Sequence, residues 1–276
     1  MIGKILKMKT ILGDAGEDLP VQYHLPIGDE LLPMNEHIGQ TIKLGYKGQI
    51  HCVACGRKTN KSFGQGHCFP CFRSLASCDI CIMKPETCHY AGGTCREPEW
   101  GEANCFIPHY VYLANSSGIK VGITRGTQIP TRWMDQGAAQ ALPIFKVANR
   151  LQSGLLEVVL KQHVSDRTDW RKMLKFDAEP LDMKTIRNDL IGRCAGEIES
   201  LKQEHGEEAI VAVDEQVVDI KYPIVEYPEK IKSFNFDKQP EVEGVLKGIK
   251  GQYLILDTGV INIRKFSGYN VQVDFI

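Results

Sequence analysis

The chain has 276 residues, 43% of them hydrophobic, and a formal net charge of −1. That length suggests two domains, or three with a small metal module, each with an ordinary packed core. It starts MIGKILKMK and contains no apolar run long enough for a secretory leader or a membrane span. A reducing, cytoplasmic setting is therefore expected, and disulfides are not expected in it.

Residues 1–50 read as short strands, with candidates at 2–10, 21–25 and 42–44 separated by Gly, Pro and acidic turns (GDAGEDLP, PIGDE). They carry no evident chemistry; His24 and His37 are expected to be structural or exposed. Residues 51–108 form a cysteine-rich module holding nine of the ten cysteines. Three CxxC pairs, Cys52/Cys55, Cys68/Cys71 and Cys78/Cys81, are followed by Cys88, Cys95 and Cys105. Each CxxC places two thiolates on one tight turn, and the twelve residues between the first two pairs give zinc-ribbon-like spacing. Two structural zinc ions are expected, with an iron–sulfur cluster as the alternative. Two groupings are open. The sequential one joins Cys52, Cys55, Cys68 and Cys71, then Cys78 and Cys81 with two of the later cysteines. The cross-braced one pairs Cys52/Cys55 with Cys78/Cys81. His51, His67 and His89 are adjacent substitutes, and Trp100 is expected to cover metal or pack on the next domain. The segment is poor in aliphatics, so metal would supply its core; structural zinc is worth about 10–16 kcal/mol in comparable peptides.

Charge is uneven. Residues 109–175 carry +6 and residues 176–276 carry −7. The basic block is where a phosphate-bearing partner is expected. In it, HYVYLA, NSSG and IKVGIT read as a β-hairpin: Tyr110 and Tyr112 share one face, Lys120, Gly122 and Thr124 another, and Ile119, Val121 and Ile123 point to the core. Pro130 opens a helix through TRWMDQGAAQA, PIFKVANR is a third strand, Ser153 caps a helix carrying Glu157, and DRTDWRKMLK is a short helix capped by Asp166.

The stretch VYLANSSGIKVGITR, then TRW and an LLE helix, resembles the GIY-YIG nuclease superfamily over about 70 residues. The resemblance implies a small three-stranded α/β domain. Its site would consist of Tyr112, Arg132 and Glu157, with Gly122 on the motif glycine and Lys120 standing where a second tyrosine is expected. Mg²⁺ or Mn²⁺ at Glu157 and a DNA or RNA partner follow from it. Arg125, Gln136, Arg150 and Arg171, with Asp135 and Trp170, would line a nucleic-acid groove. The whole chain also resembles an uncharacterised bacterial and archaeal family of unknown function, through CFPC, CHYAGGTCREPEWGE, KVGITR, RWMDQGA and WRKML.

Residues 176–205 read as one long amphipathic helix with Cys194 buried as a small apolar residue, and residues 208–276 as short strands of an antiparallel barrel or sandwich that N-terminal strands complete. The expected whole is an α+β protein with divisions at 1–50, 51–108, 109–205 and 206–276. Three functions compete: a metal-dependent nuclease-like enzyme, a non-catalytic nucleic-acid-binding module, and a zinc-stabilised interaction scaffold. Lys120 favours the second over the first, because an ammonium cannot accept a proton unless burial depresses its pKa. The +6 block disfavours the third.

Overall fold

Strands far apart in sequence lie side by side in this fold. The structure, a computed structural model, describes residues 1–13 and 19–276; the acidic turn expected at 14–18 lies outside the described residues. Strands β1 (Ile2–Lys4), β2 (Lys9–Ile11), β3 (Gln22–Ile27), β4 (Glu30–Pro33) and β5 (Thr41–His51) precede the cysteine-rich segment. That segment contains β6 (Lys58–Thr59), α1 (Phe69–Ser74) and α2 (Pro98–Asn104). Next come β7 (His109–Asn115), β8 (Ile119–Arg125), α3 (Thr131–Asp135), β9 (Gln140–Val147), α4 (Arg150–Leu160), α5 (Trp170–Met173), α6 (Met183–Arg193) and α7 (Ala195–His205). The chain ends with β10 (Ile210–Ala212), β11 (Val218–Asp219), β12 (Glu241–Lys250), β13 (Tyr253–Leu256), β14 (Gly259–Asn262) and β15 (Tyr269–Phe275).

The fold is mixed α+β with antiparallel sheets. The largest sheet has the order β1-β15-β5-β12-β13-β14, with β6 on β5, so both chain ends enter one layer. β5 lies between two C-terminal strands, with Leu44 opposite Val242 on one side and Val273 on the other. A three-stranded sheet, β2-β3-β4, packs against it through a core that includes Tyr23, Leu25, Leu44, Leu254 and Phe266. The central sheet has the order β10-β9-β7-β8.

Period-two alternation makes β7 the partition between two cores. Val111 and Leu113 join the cluster formed with Leu156 and Leu160 of α4 and Leu190 of α6. Tyr112 and Ala114 join the cluster shared with the terminal strands. On β8, Val121, Ile119 and Ile123 take the α4 side, as the alternation in IKVGIT requires.

Several local expectations are corrected. The helix through TRWMDQGAAQA stops at Asp135, because Gly137 has φ +67° and lies against Met173, where a Cβ would sit 2.6 Å from its sulfur. Helix α4 is capped by Asn149 in a capping box with Gln152, so Ser153 is inside it, and α5 is capped by Asp169 rather than Asp166. The single helix expected over 176–205 is two, broken at buried Cys194. β10 and β11 pair with β9 rather than with the C-terminal strands, because β9 offers them a free edge: Ile210 is opposite Val147 and Val218 opposite Ala141.

Helix α3 is short and is held from outside. The Asp135 carboxylate accepts Lys7 Nζ at 2.6 Å and Gln252 Nε2 at 2.8 Å, with Arg264 Nη1 at 3.9 Å. Gln252 also closes both backbone groups of Met8, at 2.8 and 3.0 Å. One buried carboxylate therefore ties α3 to the N-terminal segment and to the β12–β13 turn. Removing it leaves buried donors and a partly buried cation without an acceptor. Asp135→Ala is expected to lower unfolding free energy by about 2–4 kcal/mol in denaturant titration. Lys7→Ala, whose ammonium is more open to solvent, is expected to cost less than half as much.

Candidate functional site

Cys52 directly follows β5, Cys55 closes the turn after it, Cys68 is the N-cap of α1 and Cys71 lies in its first turn. The four sulfurs lie within 4.8 Å of one another, and Cys55 Sγ is 3.8 Å from Cys68 Sγ. Zn–S bonds of about 2.3 Å in a tetrahedron require sulfur–sulfur edges of about 3.8 Å, so this set fits one zinc ion. Its thiols cannot ionise independently. Burial opposes ionisation of Cys52, but backbone donors of Cys55, Cys68 and Ala54 bring it down to about 6, while hydrogen bonds to Cys55 and Cys68 push Cys71 up to about 12. A divalent cation at the centre would let all four become thiolates. The sequential grouping is thus the one adopted for the first set, and cross-bracing with Cys78/Cys81 is not.

The remaining cysteines do not group as expected. Cys81, Cys88, Cys95 and Cys105 line one small pocket with Trp100 and Tyr90. Cys78 lies apart from them, toward Cys52 and Arg96. His89 Nε2 and Cys81 come within 4.8 Å of the Asp79 carboxylate, but Asp79 is already paired with Arg96 Nε at 2.6 Å. His51 and His67 belong to neither set of four thiols.

The second centre is polar. Tyr112 and Gly122 are opposite one another across β7 and β8, and a Cβ at Gly122 would meet the Tyr112 hydroxyl at 2.7 Å. The glycine lets the phenol lie flat across the sheet. Gln136, just past α3, gathers the neighbouring groups: its Oε1 accepts Tyr112 OH at 3.1 Å and Lys120 Nζ at 2.5 Å. Arg132 and Glu157 act on both Tyr112 and Lys120. Tyr112, Lys120, Arg132 and Glu157 therefore converge, from two strands and two helices. Asp166, expected as a helix cap, joins them beside Glu157. The segment after α4 brings it there by pairing with the outer edge of β8, where Val121 N–H donates to Ser165 O at 2.8 Å. No local pattern in the sequence marks that role.

Burial sets the protonation of this centre. Lys120 is 4% exposed; burial, aided by Arg132, brings its ammonium down to about 8 against the pull of Glu157 and Asp166. Burial and the charge of Asp166 push Glu157 up to about 7. Tyr112 is raised by burial, with Arg132 opposing.

The other basic residues diverge. Arg150 donates through Nη2 to Ile82 O at 2.6 Å, and its backbone N–H to Cys105 O at 2.8 Å, so it joins α4 to the cysteine-rich segment. Arg125 bonds the Asn104 side chain on the same seam. Gly154 reinforces it, since a Cβ there would sit 2.6 Å from Pro85. Arg171 stacks over Trp170 at 4.4 Å, and Trp170 stacks on Tyr253. Of Arg125, Arg132, Arg150 and Arg171, only Arg132 is at the Gln136 centre.

Linkage gives a stability test. A carboxyl at about 7 when folded, above its ordinary 4.5, holds its proton more tightly in the native state, so wild-type stability falls as pH rises between those values. Glu157→Gln is expected to flatten that fall and to be more stable than wild type at pH 8 by about 1–3 kcal/mol. Lys120 runs the other way: folded at about 8 and ordinarily at 10.5, it gives stability that rises between those values, and Lys120→Met is expected to remove the rise. Denaturant titrations from pH 5 to pH 10 check both signs.

Among the described residues no helix is long and apolar enough to cross a membrane. No curated protein and no solved structure matches the chain significantly. A family profile described as "Protein of unknown function (DUF2797)" matches residues 39–271, which takes in both sulfur sets and the whole Gln136 centre. The chain belongs to that family.

Proposed function

We propose that the Gln136 centre is a phosphodiester site acting on nucleic acid, with a zinc ion held by Cys52, Cys55, Cys68 and Cys71 as a structural support. The observation that carries this is the convergence of a phenol, an amine, a guanidinium and a carboxylate around one glutamine amide. The β7–β8 hairpin, α3, β9 and α4 follow one another in the order of the GIY-YIG resemblance, and β7 lies between β8 and β9. Both support a nuclease-like reading of residues 109–160.

Phosphodiester hydrolysis forms one P–O bond to water and breaks another, leaving a hydroxyl and a phosphate monoester. The water must lose a proton, and charge builds on the phosphate oxygens. Arg132 is the donor for that charge, able to take two oxygens at once. Lys120 answers the difficulty raised by the missing tyrosine: near 8, a sizeable fraction is neutral amine at mildly alkaline pH and able to accept the proton. Glu157 and Asp166 are the oxygen donors that would hold a hard divalent cation, which supplies Lewis-acid stabilisation when bound. A buried carboxylate whose proton affinity a neighbouring carboxylate raises further is a donor that such a cation relieves.

A groove beside this centre extends the reading. Ser62 and Gln65 of the zinc-site loop face Asn262, Arg264 and Lys265, and the charge of Arg264 interacts with that of Arg132. A phosphate backbone lying along it would reach from the zinc-site loop to Arg132. A second reading, binding without cleavage, is favoured by the complete burial of Tyr112, which keeps its hydroxyl from bulk water.

Single- and double-stranded DNA and RNA, with Mg²⁺ or Mn²⁺, separate these readings. Binding is expected to weaken steeply with salt, and Lys265→Glu to weaken it further. Cleavage is expected to rise through about pH 8, to lose that limb in Lys120→Met, and to fall at least about 10²-fold in Arg132→Ala and Glu157→Gln. Binding without cleavage selects the second reading. If wild type shows no salt-sensitive binding, or if Arg132→Ala and Glu157→Gln change neither binding nor cleavage, the site is misassigned.

A further inference from the structure

Among the described residues Gln65 is the non-glycine with a left-handed backbone, at φ +66° between Gly64 at +49° and Gly66 at +120°. A side chain is strained there, and glycine or asparagine adopts such a backbone more readily. Strain kept at one residue points to what its side chain does. Attachment of the zinc-site loop is not that task. Val53 N–H donates to Gly66 O at 2.9 Å and His51 N–H to Gly268 O at 2.7 Å, so main-chain bonds already close the loop and tie it to residue 268. The Gln65 side chain instead meets Arg264, 199 residues away in sequence, whose Nε donates to Gln65 Oε1 at 2.6 Å.

That bond fixes one edge of a guanidinium that is short of acceptors. Arg264 Nη1 stands 3.9 Å from Asp135, a carboxylate that Lys7 already takes at 2.6 Å. Among the described residues Arg264 Nη2 meets no acceptor. The charge of Arg132 acts on Arg264, and two guanidinium groups in reach of each other repel unless an anion shares them. Lys265 is exposed and forms no ion pair among the described residues, while Asp237, the acid of the same groove, accepts the Tyr269 hydroxyl at 2.8 Å. Gln65, Asn262, Arg264 and Lys265 line a groove of about 380 Å³, within the range of about 300–1,000 Å³ in which ligands bind.

We infer that this groove is a phosphate site, with Arg264 as its donor and Gln65 as the positioning residue that aims the guanidinium into it. A planar fork held at Nε gives up little freedom when its remaining N–H groups take phosphate oxygens. The residue that holds it sits between the two CxxC pairs of the first sulfur set, so the zinc-site loop acts on the ligand through Arg264. The ligand's identity alone rests on the phosphodiester reading: a phosphate of the nucleic-acid backbone, where a free polyphosphate would offer the same oxygens.

Two probes separate these sources. One is a fluorescein-labelled oligonucleotide, single-stranded and duplex, titrated by anisotropy over a range of salt. The other is inorganic pyrophosphate, titrated calorimetrically. Arg264→Ala is expected to weaken oligonucleotide binding by about tenfold and to lower the salt slope by about one. Gln65→Gly is expected to weaken it by a similar factor with an essentially unchanged denaturation midpoint, because relief of the strained backbone offsets the lost hydrogen bond. The double variant is expected to bind no more weakly than Arg264→Ala, since Gln65 acts through Arg264. Pyrophosphate binding that both single variants lose, with no binding of either oligonucleotide, upholds the site and sinks the nucleic-acid reading instead. Oligonucleotide binding unchanged in Gln65→Gly, or additive losses in the double variant, overturns the positioning role while that reading stands. A clearly lowered midpoint in Gln65→Gly overturns it too, as the mark of a structural prop. Wild type that binds neither probe overturns both. If Arg264→Ala fails to fold, Gln65→Gly decides alone, because glycine suits the backbone at that position.

Discussion

The buried carboxylate of Asp135 is the constraint on which the rest of the arrangement turns. Helix α3 is five residues long, too short to hold its own orientation by helical cooperativity. It carries Arg132 and is followed directly by Gln136. Asp135 fastens it to Lys7 from one end of the chain and Gln252 from the other. The pairing of β5 between β12 and β15 draws both ends of the chain into one sheet, so these partners come from a common β layer. The terminal β layer thus acts as a mount for the candidate site, even though it contributes little chemistry of its own.

The cysteine-rich segment is a second mount, applied to α4. That helix carries Glu157 on a turn beyond the residues that meet the cysteines. Arg150 reaches Ile82 and Cys105, and Gly154 presses on Pro85, so the seam is closed by hydrogen bonds at one turn and by van der Waals contact at the next. A segment with few aliphatic residues can brace a helix this way only if something other than a hydrophobic core makes it rigid, and a metal ion held by its thiols would do so. The first sulfur set, at the end of β5, is continuous with the terminal β layer, and the second lies against α4. The two sets therefore brace different parts of the same centre.

Lys120, Glu157 and Tyr112 are held where water would not place them. An ammonium and a carboxyl removed from solvent lose hydration that their neighbours replace only in part, and their pKa values move toward each other, to about 8 and about 7. That arrangement costs stability. A core built for stability alone would have apolar side chains here, as it does on the opposite face of β7. Ionisable groups kept at such positions, with proton affinities near neutral pH, are what proton-transfer chemistry requires.

Local patterns were legible without coordinates. Alternation in IKVGIT sorted Lys120 and Gly122 from Val121, and the first two CxxC pairs marked one compact metal set. The positions of Tyr112, Lys120, Arg132 and Glu157 were found through a resemblance, and their convergence became visible only in the fold. Tertiary structure decided the rest: that Cys78 stands apart from Cys81, that the later thiols surround a cavity, that Arg150 turns inward, and that β10 and β11 extend the central sheet. Spacing and periodicity report forces between residues a few positions apart, which any stretch of chain carries with it. Whether Asp135 meets Gln252, 117 residues away, depends on which distant surfaces bury each other, and that is settled only when the whole chain has packed.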